Sequence, residues 1–264
     1  MRTILICFSL MLSLVIDMTG QGLSMSPTRL FFTGNPGETI TQTVRLGNRS
    51  DKEYTLSVSY KDWERNLIGN KIYTEPGSRN NSNASWVYTD QNTINIPANG
   101  MSEVQVTMQI PENASPFTVT NSMLFFTQLP QQSDRAAASS GIGIVTLFEF
   151  GLHVYYTPPA NTRASLEILN IEEVFIGDQN TKIAVNIFND GNTITDAIVE
   201  FELTNTDSGD EMKLKPQTIS MFPEAEQVVQ FDIPQNISGN FLGVTIIKIA
   251  GGNDLRVGEK TFNF

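Results

Sequence analysis

Residues 102–110 read Ser-Glu-Val-Gln-Val-Thr-Met-Gln-Ile (SEVQVTMQI), and this stretch decides the fold class. Val104, Val106, Met108 and Ile110 occupy every second position, with polar residues between them. Successive side chains of an extended strand point to opposite faces, so this period of two puts one face in a core and the other toward water. A helix would repeat near every 3.6 residues instead. Outward from there, Thr41 to Leu46 (TQTVRL) and Tyr54 to Tyr60 (YTLSVSY) alternate in the same way. Turn chemistry separates the strands at Asn35-Pro36-Gly37, Asn48 to Asp51, Ala98-Asn99-Gly100 and Pro111 to Ala114.

The second half repeats the style. Ala164 to Val174, Lys182 to Phe188, Ile198 to Leu203, Gln227 to Ile233, Phe241 to Ile249 and Lys260 to Phe264 read as strands, with turns at Asn189 to Asn192 and Asp207 to Asp210. The pattern restarts at Tyr156-Thr157-Pro158-Pro159-Ala160, where two prolines end strand pairing and stiffen the chain. A restart argues against one large barrel. The spacing predicts an all-β protein of two immunoglobulin-like β-sandwich domains in tandem, residues 21–157 and 158–264. Pro76 to Ser85 (PGSRNNSNAS) is predicted to be a disordered turn, and Gln131 to Gly143 a small, polar loop.

The amino terminus predicts export. Arg2 precedes an apolar run from Ile4 to Val15, and small residues follow before Gln21, the pattern of a cleaved signal peptide over residues 1–20. That places the protein in the periplasm, or at the cell surface. The single cysteine, Cys7, falls inside the leader, so the mature chain is expected to have no disulfide and no thiolate site. A net charge of −11 opposes binding to nucleic acid and docking on anionic lipid, and no second long apolar segment calls for membrane insertion.

Catalytic constellations are missing from the pattern. His153 is the only histidine, and it sits in a strand beside the hinge with no nucleophile elbow nearby. No His/Cys cluster suits a transition metal, and no glycine-rich loop follows a strand to cradle phosphate. Asp207, Asp210 and Glu211 match no standard calcium loop. The expectation is a protein that is not an enzyme and carries no cofactor and no metal.

The strongest strand pair is Val119 to Leu129 with Ile144 to Tyr156 (IVTLFEFGLHVYY). The second member is apolar on both faces, where a half-buried strand should alternate. Either its second face is covered by the other domain, or its exposed face and edge receive a strand from a partner.

Three segments resemble the periplasmic chaperones of chaperone–usher pilus assembly. They are Pro27-Thr28-Arg29-Leu30-Phe31-Phe32, Met123-Leu124-Phe125-Phe126-Thr127-Gln128-Leu129-Pro130, and Gly151-Leu152-His153-Val154-Tyr155-Tyr156-Thr157-Pro158, in the family's order. The resemblance implies two immunoglobulin-like domains in an L or boomerang shape, and a long strand lent to a subunit that lacks its own last strand. It carries the family's cleft arginine onto Arg29, where a guanidinium can grip a terminal carboxylate with a bidentate fork. It carries the alternating donor residues onto Ile144, Thr146 and Phe148, with Ile142 just outside.

Three departures mark a divergent relative. His153 stands where the family has a second cleft cation, a lysine; a histidine can donate to a carboxylate but is charged only near or below neutral pH. Thr157 replaces the hinge arginine, and Asn121-Ser122 stand where the family's glutamate begins its signature. The expected function is a periplasmic, chaperone-like protein that binds an exported subunit or other envelope protein by strand donation, with Arg29 and His153 at the domain cleft. The alternatives are a structural or adhesive envelope module, and a carbohydrate binder or hydrolase built on Trp63, Trp86, Tyr60, Tyr73 and Tyr88. Oligomeric state is not encoded in any of these patterns.

Overall fold

A computed structural model describes residues 22–130, 147–176, 180–235 and 237–264. The expected leader (1–20) and two expected donor residues, Ile144 and Thr146, lie outside the described residues.

The first half forms two facing sheets. One runs β1 (Leu23–Ser26), β3 (Thr39–Asn48), β8 (Met101–Gln109), β6 (Val87–Thr89) in spatial order. The other runs β2 (Arg29–Phe32), β10 (Glu149–Tyr156), β9 (Thr120–Gln128), β4 (Tyr54–Arg65), β5 (Lys71–Thr74), with β7 (Thr93–Ile96) also on β4. The chain passes from the first sheet to the second between β1 and β2, at a cis Ser26–Pro27 bond. The period-two residues meet as their spacing requires. Val44, Leu46, Val104, Val106 and Met108 of one sheet pack in a single cluster with Leu56, Leu124, Phe126, Leu152 and Val154 of the other. The buried Tyr156 hydroxyl donates to the Gly34 carbonyl at 3.0 Å, which satisfies its one polar atom.

The second half builds a separate core. The sheet β11 (Glu167–Ile176), β12 (Asn180–Phe188), β16 (Glu226–Asp232) faces the sheet β14 (Glu211–Lys213), β13 (Thr195–Asn205), β17 (Asn240–Ile249), β18 (Leu255–Asn263), with β15 (Gln217–Met221) on β13. Phe201, Phe231 and Phe262 are gathered in its cluster with Ile183, Val185 and Val199. Strands β14 and β15 are short and were not legible as periodic segments. Among the described residues there is no α-helix, only a single 3-10 turn at Ala84–Trp86.

The two predicted asparagine turns are built on one plan. Buried Asn48 donates to the Lys52 carbonyl at 2.6 Å and the Pro97 carbonyl at 3.0 Å, and accepts from Ser50 N at 2.9 Å. Buried Asn189 donates to the Thr193 carbonyl at 3.1 Å and the Met221 carbonyl at 2.9 Å, and accepts from Gly191 N at 2.9 Å. Each side chain ties the end of one strand to the chain of another, replacing backbone bonds the turn cannot make. At the second turn only glycine fits, because a Cβ on Gly191 would lie 2.5 Å from the Arg163 carbonyl oxygen.

The expectation of disorder at Pro76 to Ser85 is overturned. Asp62 of β4 is fully buried and accepts from Arg79 N at 2.9 Å and from Ser82 Oγ at 2.6 Å. Asn121 of β9 adds a bridge to Ser82, and its amide N donates to the Asn81 carbonyl at 2.9 Å. A buried carboxylate needs such donors, and here they come from the polar segment that composition alone reads as loose.

Candidate functional site

Strand β10 has two halves with different surroundings. From His153 to Tyr156 it is paired on both sides, antiparallel to β9 and parallel to β2, in the register His153↔Arg29 to Tyr156↔Phe32. Leu152, Val154 and Tyr156 point into the first core. Tyr155, on the opposite face, joins Trp63, Met123 and Phe125 in a small cluster that Ile194 and Phe222 of the second sandwich pack against. The Phe222 ring lies 5.6 Å from Trp63 and 5.8 Å from Tyr155. In this half the second apolar face is covered by the other domain.

Among the described residues the preceding half is paired on one side only. Glu149 to Leu152 pair with Thr127 to Leu124 of β9, but among the described residues no strand pairs with their other edge, because β2 begins only at Arg29, opposite His153. The direction of the backbone groups follows from parity. Phe148 turns its carbonyl to Gln128 N (2.8 Å) and its amide to Gln128 Oε1 (3.2 Å), both on the β9 side. His153, at odd parity, donates from its amide to the Thr28 carbonyl at 3.1 Å on the β2 side. Leu147, Glu149 and Gly151 therefore aim their N–H and C=O groups at the open side. An unpaired edge of this kind is a template for another strand. Phe148 and Phe150 are half-buried beside it, the Phe148 ring meeting Tyr54 edge-on at 6.1 Å, and Leu147 is exposed.

The parallel register makes Arg29 and His153 neighbours at the domain cleft. Arg29 is not a free cation. Its Nη1 donates to Asp196 Oδ1 at 3.0 Å and Oδ2 at 2.7 Å, tying β2 to β13 of the second sandwich. This pair spans the junction between the two sandwiches.

His153 differs from expectation in charge. Its Nε2 lies 2.9 Å from Lys71 Nζ and its Nδ1 lies 2.9 Å from the Tyr155 hydroxyl, with the Trp63 ring edge-on at 4.7 Å. An ammonium can only donate, so Nε2 accepts and the ring proton sits on Nδ1, donated to Tyr155. Burial, and then the Lys71, Arg65 and Arg29 charges, hold its pKa down at about 3. The ring is neutral at physiological pH, and it acts as an acceptor. Burial likewise pushes the Tyr155 hydroxyl up, keeping it protonated.

Periodicity pointed to none of the cations that β4 and β5 bring to the cleft. Lys71, on the fully exposed β5, reaches over the Trp63 ring at 5.7 Å, and Arg65 does so at the same distance. Burial and then the Arg65 charge lower the Lys71 pKa. Among the described residues neither Lys71 nor Arg65 makes an ion pair, although the chain as a whole is strongly acidic. A lysine from β5 thus stands beside His153 in space. Asn121 is a structural tie: its side-chain amide donates to the Trp63 carbonyl at 3.0 Å and its oxygen accepts from Asn81 at 3.0 Å.

The aromatic residues do not form one face. Trp63 is buried in the inter-domain cluster, whereas Trp86 packs on Tyr156 at 5.6 Å against the first core. Beside Trp63, a cavity of about 320 Å³ separates Arg65 and Arg79 from Phe222, Glu224 and Glu226.

No family model matches this chain, and no curated protein sequence matches it either. Among solved structures it is similar to the YadV chaperone, at 11% identity over 91% of this chain and 100% of that one, with a TM-score of 0.49. It is similar to a chain of the Salmonella enterica SafA pilin–SafB chaperone complex (10% identity, 91% and 96% covered, TM-score 0.49). A third is the CsuC–CsuE chaperone–tip adhesion subunit pre-assembly complex of Acinetobacter baumannii (12% identity, 90% and 97% covered, TM-score 0.48). Each of these structures contains a protein named as a chaperone. The likeness is one of strand architecture.

Proposed function

We propose that this chain is a periplasmic, chaperone-like protein that holds an exported, β-rich partner by adding the segment from Ile144 to Phe150 to the partner's sheet. One observation carries the reading: the open edge of β10, where Leu147, Glu149 and Gly151 present backbone donors and acceptors that no strand pairs with among the described residues. Strand addition draws affinity from such groups and specificity from alternate side chains, here Ile144, Thr146 and Phe148. The partner is an exported subunit or another envelope protein. A second reading, an envelope module whose sandwiches act as spacers, is favoured by the Arg29–Asp196 pair and the Phe222 contacts, which join the domains without any partner.

A proline scan separates the two. Glu149→Pro removes a donor aimed at the open side and leaves the β9-facing groups in place, and proline is tolerated on a strand edge of this kind. It should leave the circular dichroism spectrum of the native state unchanged and reduce recovery of a co-purifying exported protein from envelope extract about tenfold or more, the loss of one or two strand hydrogen bonds with added steric block. Undiminished recovery with Glu149→Pro would reject strand addition at this edge and favour the spacer reading.

A further inference from the structure

The two sandwiches also touch at a place remote from the hinge. Past Trp63, strand β4 runs on to a turn of residues 66–70, closed by Asn66 N donating to the Asn70 carbonyl and Asn70 N donating to Asn66 Oδ1, both at 2.9 Å. Gly69 has a φ of +83°, which favours glycine, and its carbonyl accepts from Arg65 Nη1 at 2.7 Å. The tip of this turn lies on the second sandwich. Val228 N of β16 donates to the Leu67 carbonyl at 2.7 Å, and a Cβ on Gly69 would lie 2.7 Å from Gln227 Nε2. Among the described residues β16 pairs with β12 alone, so Val228 N sits on its outer edge. The Leu67 and Ile68 side chains stay exposed, so backbone makes this contact and not apolar burial.

We infer that the β4–β5 turn is an inter-domain latch, and that its backbone bond to β16 sets the angle between the two sandwiches. The other contacts lie together at the hinge end. Phe222 packs on Tyr155, Tyr155 stacks on Phe31 at 5.1 Å, and Phe31 is two residues from Arg29, which Asp196 holds. Contacts so close to one another resist separation of the domains but leave rotation about the hinge. Leu67 stands four residues beyond Trp63, up to roughly 13 Å of extended chain from the Phe222 contact. The cavity of about 320 Å³, lined by Trp63 and Phe222 and also by Arg65 and Gln227, lies along that arm. A bond at the end of the arm opposes the rotation that the hinge-end contacts allow. An N–H···O bond also weakens steeply when it is bent, so it selects an angle more narrowly than apolar packing does. The latch is independent of strand addition and would hold in either reading of the function.

Spin labels on the whole chain test the latch. Cys7 is the only cysteine, so Cys7→Ser leaves two introduced cysteines, at exposed Gln91 in the first sandwich and exposed Lys215 in the second, as the labelled sites. Double electron–electron resonance should give this parent one narrow distance peak. Replacing Leu67-Ile68-Gly69 with Asn-Gly, a two-residue hairpin turn, removes the tip and leaves the second sandwich untouched. The fraction of molecules outside the parent peak should then rise about fivefold, the worth of one net hydrogen bond. Val228→Pro removes the donor from the other side, on an edge that tolerates proline, and should act alike. The two changes combined should do no more than either alone, because they delete one contact. Asp196→Asn, at the hinge end, should shift the distribution less. An unchanged distribution with the shortened tip, while the fluorescence-detected unfolding of the first sandwich is kept, would overturn the latch, and so would additive effects of the two changes. If Val228→Pro disturbs the second sandwich's own calorimetric transition, the shortened tip decides alone.

Discussion

Replacing His153 with glutamine tests the electrostatics of the cleft directly. The folded ring has a pKa of about 3 against 6.5 for a free histidine, because burial and three nearby cations penalise its charged form. The unfolded chain therefore takes up a proton that the native state refuses, and stability falls as pH drops below 6.5 toward 3. Between about pH 7 and about pH 5 the linkage amounts to about 2 kcal/mol unscreened, at 1.36 kcal/mol for each pK unit. Solvent reaches part of the ring, so about 1 kcal/mol is the expected loss. His153→Gln keeps an acceptor for Lys71 but cannot titrate, so its stability should lack this component. Urea unfolding followed by intrinsic fluorescence reads the first sandwich selectively, because both tryptophans, Trp63 and Trp86, lie in it. The difference between wild type and variant is the measured quantity, which cancels the carboxylates that titrate in both. Equal losses in the two proteins between those pH values would refute a neutral, cation-flanked His153. The same geometry makes partner affinity independent of His153 ionisation from about pH 6 to about pH 8, since the ring is uncharged throughout.

Two further substitutions probe the fold around the site. Asp62→Ala strips the acceptor from Arg79 N and Ser82 Oγ at a fully buried position, and should cost about 2–3 kcal/mol, with new protease sensitivity between residues 76 and 85 as the readout. Leu124→Ala empties a fully buried position in the first core and should lower that sandwich's stability by about 2–5 kcal/mol in the fluorescence-detected transition. Because the second sandwich has its own cluster, a calorimetric trace should keep a transition at the original temperature.

The strands were legible because their signal is local. Val104, Val106 and Met108 declare a buried face within a few residues of one another, and the same period-two rule locates β3, β4, β12 and β17. The double proline and the restart of the pattern after it were likewise readable without any contact information. β10 stood out by its apolar character on both faces, yet that character had two physical causes that a linear reading merges. Its later residues face a second domain, and its earlier residues have an edge that no strand pairs with among the described residues.

What remained hidden depends on distance along the chain. Arg29 and Asp196 are 167 positions apart, and Lys71 and His153 are 82 apart, so no local pattern links either pair. The order of residues 76–85 was hidden for the same reason: its polar composition reads as loose until Asp62, buried on another strand, supplies the acceptors. Backbone periodicity follows from the geometry of neighbouring residues and is written in their order. Charge state, ion-pair choice and the position where a strand edge is left open follow from which segments the fold brings together, and only the tertiary structure decides that.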